Sequence, residues 1–367
     1  MMRFIIFLFT VLSFLAPSIS RAETMRVILT ETKGVARITS TRPFSVMSGS
    51  RRISVEPAYQ VAEISARRGI VINRNDSLQK VLTLSPERGA KLFVNGTPYL
   101  GAIIIRVKNS GIAVINEVEL EQYLQGVIPS EMPTDWPMEA LKTQAVISRT
   151  YALYQKRKNK GNDYDLPASV LGQVYKGDSV YNSRAVEAIA DTKRLVAMYD
   201  GEVAVTFFHS TSAGPTEDAQ ERWGIDMPYL KGVSCPLDFS SSYFSWQREI
   251  PLADLENALN QMGVETIATL APFSYSKSGR TLMVRILHAG GETLVKAEDL
   301  RRLLGYKTLP STHFRIDSFG KILKISGMGW GHGVGLCQWG AKVMAERGMN
   351  FDEIVRYYYP GVTLERY

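Results

Sequence analysis

The chain is poor in residues that build metal centres. Its 367 residues include two cysteines, Cys235 and Cys337, and four histidines. Neither His209 nor His332 belongs to a His-Glu-x-x-His array, and two cysteines so far apart form no metal motif by themselves. In an oxidising compartment the two could pair, a point their spacing leaves open. No Gly-x-Ser-x-Gly supports a Ser-His-Asp hydrolase built from Ser210, His209 or His332, and Asp218. There is no internal repeat and no low-complexity segment. Charge of one sign is scarce too: the formal net charge is +7, and loss of Arg3 and Arg21 with residues 1–22 would leave +5. That mild basic bias suits an anionic polymer but carries little weight alone.

Glycine, by contrast, is concentrated. Gly327-Met-Gly-Trp-Gly-His-Gly-Val-Gly335 has a glycine at every second position, after an alternating strand (Lys321 to Ser326) and before a helix expected over Gln338 to Arg347, ended by Gly348. A strand, a glycine loop and a helix suggest a phosphate cradle. The spacing excludes it: counted from Gly327, Gly329 or Gly331, the sixth position is His332, Val334 or Leu336, and no Gly-Lys-Ser/Thr follows. Glycine costs backbone entropy, so the run needs another reason, either close backbone approach or backbone angles that other residues refuse.

At the N-terminus, Met1-Met2-Arg3 is followed by an apolar run, Phe4 to Ala16, and by Ser20-Arg21-Ala22. This is the pattern of a secretory signal over residues 1–22, the run being short for a membrane span; an uncleaved N-terminal anchor is the alternative. Either way the body of the protein is expected outside the cytoplasm, which argues against nucleotide cofactors.

The remaining pattern is α+β. Residues 23–100 read as a β-rich region, with strand-like runs at Met25–Thr30 and Gly69–Asn73, and Ala102–Val107 continues the signal. Residues 101–367 read as a mixed body with one long helix. A short helical stretch at Val118–Gly126 is expected to stop in a break containing Pro129, Pro133 and Pro137. The long helix is expected from about Asp135, as N-cap, to Asn159. Leu141, Ala145, Ser148 and Ala152 give it one narrow face for close packing. The basic run Lys156–Lys160 reads as cations at a helix C-terminus rather than a nucleic-acid patch. Further on, Arg184–Asp191, Leu252–Met262 and Ala297–Leu304 read as helices and Thr281–Leu287 as a strand. Leu195–Tyr199 and Ala204–Phe208 flank Asp200-Gly201 as a hairpin.

Two residues could carry proton chemistry. Glu131, in Val127-Ile-Pro-Ser-Glu-Met-Pro133, has apolar neighbours in Ile128, Met132 and Trp136; desolvation there would raise its pKa, as a general acid requires. It could equally serve the N-terminus of the following helix. His209 ends a strand and enters a small-residue loop, where a hydrogen-bonding role is the commoner one.

Residues 117–154, including the Pro129-Ser-Glu-Met-Pro133 block, resemble the signature of the SpoIID/LytB family. So do Gln173-Val-Tyr-Lys-Gly177, His209-Ser-Thr-Ser-Ala-Gly-Pro-Thr216, Ser278-Gly-Arg280, Gly329 to Ala341 and Tyr357-Tyr-Tyr-Pro-Gly361. The resemblance spans about 100–362, in order. It implies a peptidoglycan lytic transglycosylase, with a preference for peptide-stripped glycan strands, in which Glu131 alone is acid and then base. It implies a glycan cleft lined by Arg149, Tyr151, Gln173, Tyr175, His209, Ser210, His332, Gly333 and Gln338. Asp135 and Glu139 would become candidates if water were the nucleophile. The enhancer branch implies instead a non-catalytic glycan-binding module that stimulates a cell-wall amidase. Some relatives carry a zinc site of one His and two Cys just before the Gln-Val-Tyr block. Residues 162–173 contain neither residue type, so no metal and no cofactor are expected. Cys337 stands where relatives commonly have serine.

Overall fold

A computed structural model describes residues 22–66, 69–73, 75–76, 78–109 and 111–367. The signal segment expected at residues 1–22 lies outside the described residues except for its last position. Alternating apolar residues build the first part as two facing sheets. One has seven strands in the order Leu166–Pro167, Thr24–Thr32, Gly111–Glu119, Ala102–Lys108, Val81–Pro86, Phe44–Ser48, Arg51–Glu56. The other has six short strands, with Ala36–Ser40 and Ala62–Ala66 at its centre. Val27, Ile38, Val46, Ile64, Leu84, Ile105 and Val114 point between them and are wholly buried. The strands on either side of residue 100 thus share one sheet, Ala102–Lys108 pairing with both Val81–Pro86 and Gly111–Glu119.

Eight α-helices follow in the described residues: α1 (Leu120–Glu131), α2 (Met138–Lys158), α3 (Ser183–Asp191), α4 (Ala219–Trp223), α5 (Leu252–Leu259), α6 (Ala297–Leu304), α7 (Gln338–Glu346) and α8 (Phe351–Tyr358). The expected break at Pro129 does not occur. Proline removes one helical hydrogen bond, but it falls in the last turn of α1, while Leu124, Val127 and Ile128 bury completely against the β core. Packing therefore carries the helix through to Glu131. α2 begins later than expected: Asp135 is exposed and caps nothing, and Pro137, in extended backbone, directly precedes the first turn.

Helix α2 is the axis of the fold. Every residue from Thr143 to Leu153 is buried. Leu141, Ala145 and Ala152 enter the β-sheet core, while Val146 and Ile147 enter a second core with Ala341, Met344, Ile354 and Val355 of α7 and α8. Its basic end is structural as read: Lys156 donates to the Thr24 carbonyl and pairs with Glu23, and Arg157 pairs with Glu202. Residues 245–328 form a third body with its own core, from Trp246, Leu255, Ile286, Val295, Leu300 and Ile325. The helix at α6 and the strand at Thr281–His288 match the sequence reading. The Leu195–Tyr199 hairpin is shorter than expected. Its return strand is only Glu202–Val203, because the chain then leaves to pair Phe208–His209 in parallel with Leu336–Cys337.

One buried charge ties these parts together. Arg149 is fully buried. Its guanidinium donates to both carboxylate oxygens of Glu121 on α1, at 2.9 and 2.7 Å. It also donates to the carbonyls of Ile189 on α3 and Leu195, each at 3.2 Å. Replacing it by methionine keeps the volume but strands Glu121 and two carbonyls. A loss of about 3–5 kcal/mol is expected, read as a lowered urea midpoint at unchanged slope.

Candidate active site

The last residue of α1 defines the site. Gly126 lets α1 lie directly on the 173–177 segment: a Cβ there would sit 2.4 Å from the Gly177 carbonyl oxygen and 2.6 Å from the Tyr175 ring. That contact delivers the Val174 N–H to Glu131 Oε1 at 2.6 Å. From the other side, Gln338 Nε2 donates to the Glu131 carbonyl at 3.0 Å and to Gln144 Oε1 at 3.1 Å. Glu131 is thus held through backbone and side chain, half-buried at a cleft of about 830 Å³. Burial pushes its pKa from an ordinary 4.5 up to about 7, against the opposing pull of the Val174 N–H.

Five of the ten residues expected at the site line this cleft in addition to Glu131: Tyr151, His209, Ser210, His332 and Gln338. Glu131 and His332, 201 positions apart in sequence, share it. The other four do not line it. Arg149 is enclosed by its ion pair with Glu121. Gln173 is buried, accepting from Tyr123 Oη at 3.0 Å and donating to the Ser148 carbonyl. Tyr175 is buried and donates to Asn116 Oδ1 at 2.7 Å. These two side chains anchor the irregular segment on either side of Val174, whose N–H meets Glu131. Gly333 faces away from the cleft, where the Arg280 guanidinium occupies its side-chain space; a Cβ would lie 2.7 Å from Nε.

The glycine run lies across the 207–217 segment. At Gly331, φ is +118° and a Cβ would fall 2.6 Å from His209 Cβ. Arg280 beneath donates to the carbonyls of Ser212 and Pro215 and to Ser278 Oγ. His209 Nδ1 lies 3.2 Å from the Val334 carbonyl, which can only accept, so Nδ1 carries the proton and Nε2 accepts from Ser212 Oγ at 2.7 Å. Burial, assisted by Arg280, pushes the His209 pKa down to about 3. Burial and His209 hold His332 well below its ordinary value too, with the Val334 N–H donating to its Nδ1. Both imidazoles are neutral at pH 7. No Ser-His-Asp triad forms from the residues named for it: Ser210 Oγ meets Thr211 Oγ1, and Asp218 caps α4.

Several cleft residues escaped sequence reading. Trp136 meets Trp339 edge-on at 5.0 Å, Tyr243 meets Trp330 at 4.7 Å, and Trp223 meets His332 at 5.0 Å; all five aromatic residues line the cleft. From α6 come Glu298, Arg301 and Tyr306 just beyond it. Glu298 is paired with Arg222 and lies 3.7 Å from Arg301; burial lowers both arginines to about 10, so both remain charged. Asp135 and Glu139 do not line the cleft, and Glu139 is engaged with Lys142 and the Phe351 N–H. The signal for the α6 wall was present in the amphipathic 297–304 pattern, but no motif tied it to Glu131.

One carboxyl able to hold a proton near neutrality thus stands in an aromatic-walled cleft. The family described as Stage II sporulation protein matches residues 108–199, and a domain of unknown function matches 236–335. The chain is 32% identical over 349 residues to an uncharacterised protein of Brachyspira hyodysenteriae, covering 94% of this chain and 93% of that one. It is 30% identical over 331 residues to stage II sporulation protein D of Bacillus amyloliquefaciens, covering 85% and 92%. With the amidase enhancer of Bacillus subtilis (strain 168) it shares 31% over 291 residues, 66% of this chain and 40% of that protein. The chain belongs to the SpoIID/LytB family.

A carboxyl with a raised folded-state pKa destabilises the fold increasingly as pH climbs, because the unfolded chain gives up its proton first. The melting temperature of Glu131→Gln should therefore exceed that of the native protein by a margin that widens from pH 4.5 to about 7 and then levels. Parallel melting curves across that range would show that Glu131 is not desolvated.

Proposed function

We propose that the protein is a peptidoglycan lytic transglycosylase of the cell envelope, cleaving MurNAc–GlcNAc strands to 1,6-anhydro ends. The observation that carries this reading is the Glu131 carboxyl, pushed up to about 7 in an aromatic-walled cleft. Protonated Glu131 donates to the glycosidic oxygen as the C1–O bond breaks and positive charge develops at C1. The carboxylate left behind takes the proton of the sugar's own 6-hydroxyl as that oxygen bonds to C1. The anhydro ring closes and the acid is regenerated. No water enters the products, so no second carboxylate is required, and Glu298 is engaged with Arg222. Trp136, Trp339, Trp330, Tyr243 and Trp223 supply flat apolar faces for pyranose rings. His209, neutral and fixed at both nitrogens, orders the loop behind Ser210 rather than moving protons.

The similarity to the amidase enhancer favours a second reading, a glycan-binding module that stimulates a cell-wall amidase without cutting. Incubation with peptide-stripped glycan followed by mass spectrometry separates the two. Anhydro-ended fragments from the native protein, reduced at least 1,000-fold (about 4 kcal/mol) in Glu131→Gln with glycan binding retained, are expected. Intact strands with measurable binding would leave the module. Because the acid must start protonated, turnover should fall as pH rises through about 7; a rate that keeps rising past that point would exclude Glu131 as the acid.

A further inference from the structure

The cysteines lie in two segments separated in sequence by about a hundred residues, yet they meet. Cys235, Asp238 and Cys337 each place a ligand atom within 4.8 Å of the other two, and all three are buried. Three observations bear on what this cluster holds. First, Asp238 is fully buried, and its Oδ1 has no hydrogen-bond partner. A buried carboxylate oxygen left without a partner is costly. Arg280 lends it a positive field, but that guanidinium donates to Ser212, Pro215 and Ser278 rather than to Asp238. Second, backbone donors converge on the cluster. The N–H groups of Ser212 and Gly340 point at Cys337 Sγ, each at 3.4 Å, and the Ala213 N–H donates to Asp238 Oδ2 at 2.7 Å. Cys337 Sγ itself lies 3.3 Å from Asp238 Oδ2, so sulfur, carboxylate and backbone donors face one another at the start of α7. Third, Gly340 has no side chain where a Cβ would lie 2.7 Å from Cys235 Sγ and 2.1 Å from Tyr358 Oη. That absence lets α7 pack directly on Cys235 and Tyr358 and so brings Cys337 to them.

We propose that Cys235, Asp238 and Cys337 form a structural zinc site, distinct from the catalytic cleft and from the ligand set absent at residues 162–173. Two thiolates and one carboxylate are a donor set suited to tetrahedral Zn²⁺. Ligand atoms on such an ion stand roughly 3.3–3.8 Å apart, so the cluster need close by no more than about 1 Å. Tyr358 Oη, 3.3 Å from Cys235 Sγ, or a water supplies the fourth ligand. Binding breaks two S–H bonds, forms two Zn–S bonds and releases the protons to solvent, with no change of oxidation state. The ion would tie the 235–238 loop to Cys337, the N-cap of α7. The next residue, Gln338, holds the Glu131 carbonyl. The site is therefore a brace beneath the cleft, and its ligation does not depend on which reaction the cleft performs.

The test uses the full chain, purified without added reductant. Plasma mass spectrometry should find about one zinc per chain after dialysis. Replacing zinc by Co²⁺ should give a thiolate-to-cobalt charge-transfer band in the near ultraviolet, and both thiols should react in denaturant once a chelator is added. The Asp238→Asn protein should lose zinc at least tenfold more readily, and the Cys235→Ser, Cys337→Ser double variant should bind none. Three results would overturn the proposal: no retained metal with no cobalt band; thiols absent in denaturant because the cysteines are joined as a disulfide; or undiminished zinc in the double variant. Circular dichroism on each variant separates loss of metal from loss of fold.

Discussion

The ion pair of Arg149 with Glu121 is the contact that locks α2 to α1, α3 and the strand at Leu195–Tyr199. An always-charged guanidinium in a dry interior must be fully satisfied. Here the partners come from α1, α3 and the strand at Leu195–Tyr199. Orienting α1 also orients Glu131, its twelfth and last residue. An arginine without direct access to the cleft thereby fixes the direction in which the acid points.

The same logic runs through the site. Val174, Gln338 and Gln144 hold Glu131 by hydrogen bonds. Gln173 and Tyr175 hold Val174, and Gly126 lets that segment approach α1. The glycine run performs a parallel task on the opposite wall, where missing side chains admit His209 and Arg280 against the backbone.

How much of this was legible in the sequence follows the range of each interaction. Local signals were reliable: α6, the strand at Thr281–His288, and α3, read from Arg184 to Asp191. Pro129 was misread because burial of α1 against the β-sheets outweighs one lost hydrogen bond, and burial is a tertiary fact. Glu131 was singled out from its neighbours and its block. Arg149, Gln173 and Tyr175 were found as motif residues but given the wrong position, since a motif preserves residues that support a site alongside those that line it. Glu298, Arg301 and Tyr306 were missed because the third body contributes its wall from more than 160 residues downstream of Glu131.

The convergence on Glu131 also ties proton affinity to completion of the chain. Val174 and Gln338 come from segments 43 and 207 residues further along. Until both have docked, water reaches the carboxyl, and it titrates as any exposed glutamate does. A partly assembled molecule therefore carries an ordinary carboxylate, ionised at neutral pH. The raised proton affinity arrives with the last helices to be synthesised, which makes the titration of this one group a gauge of whether the whole body has closed.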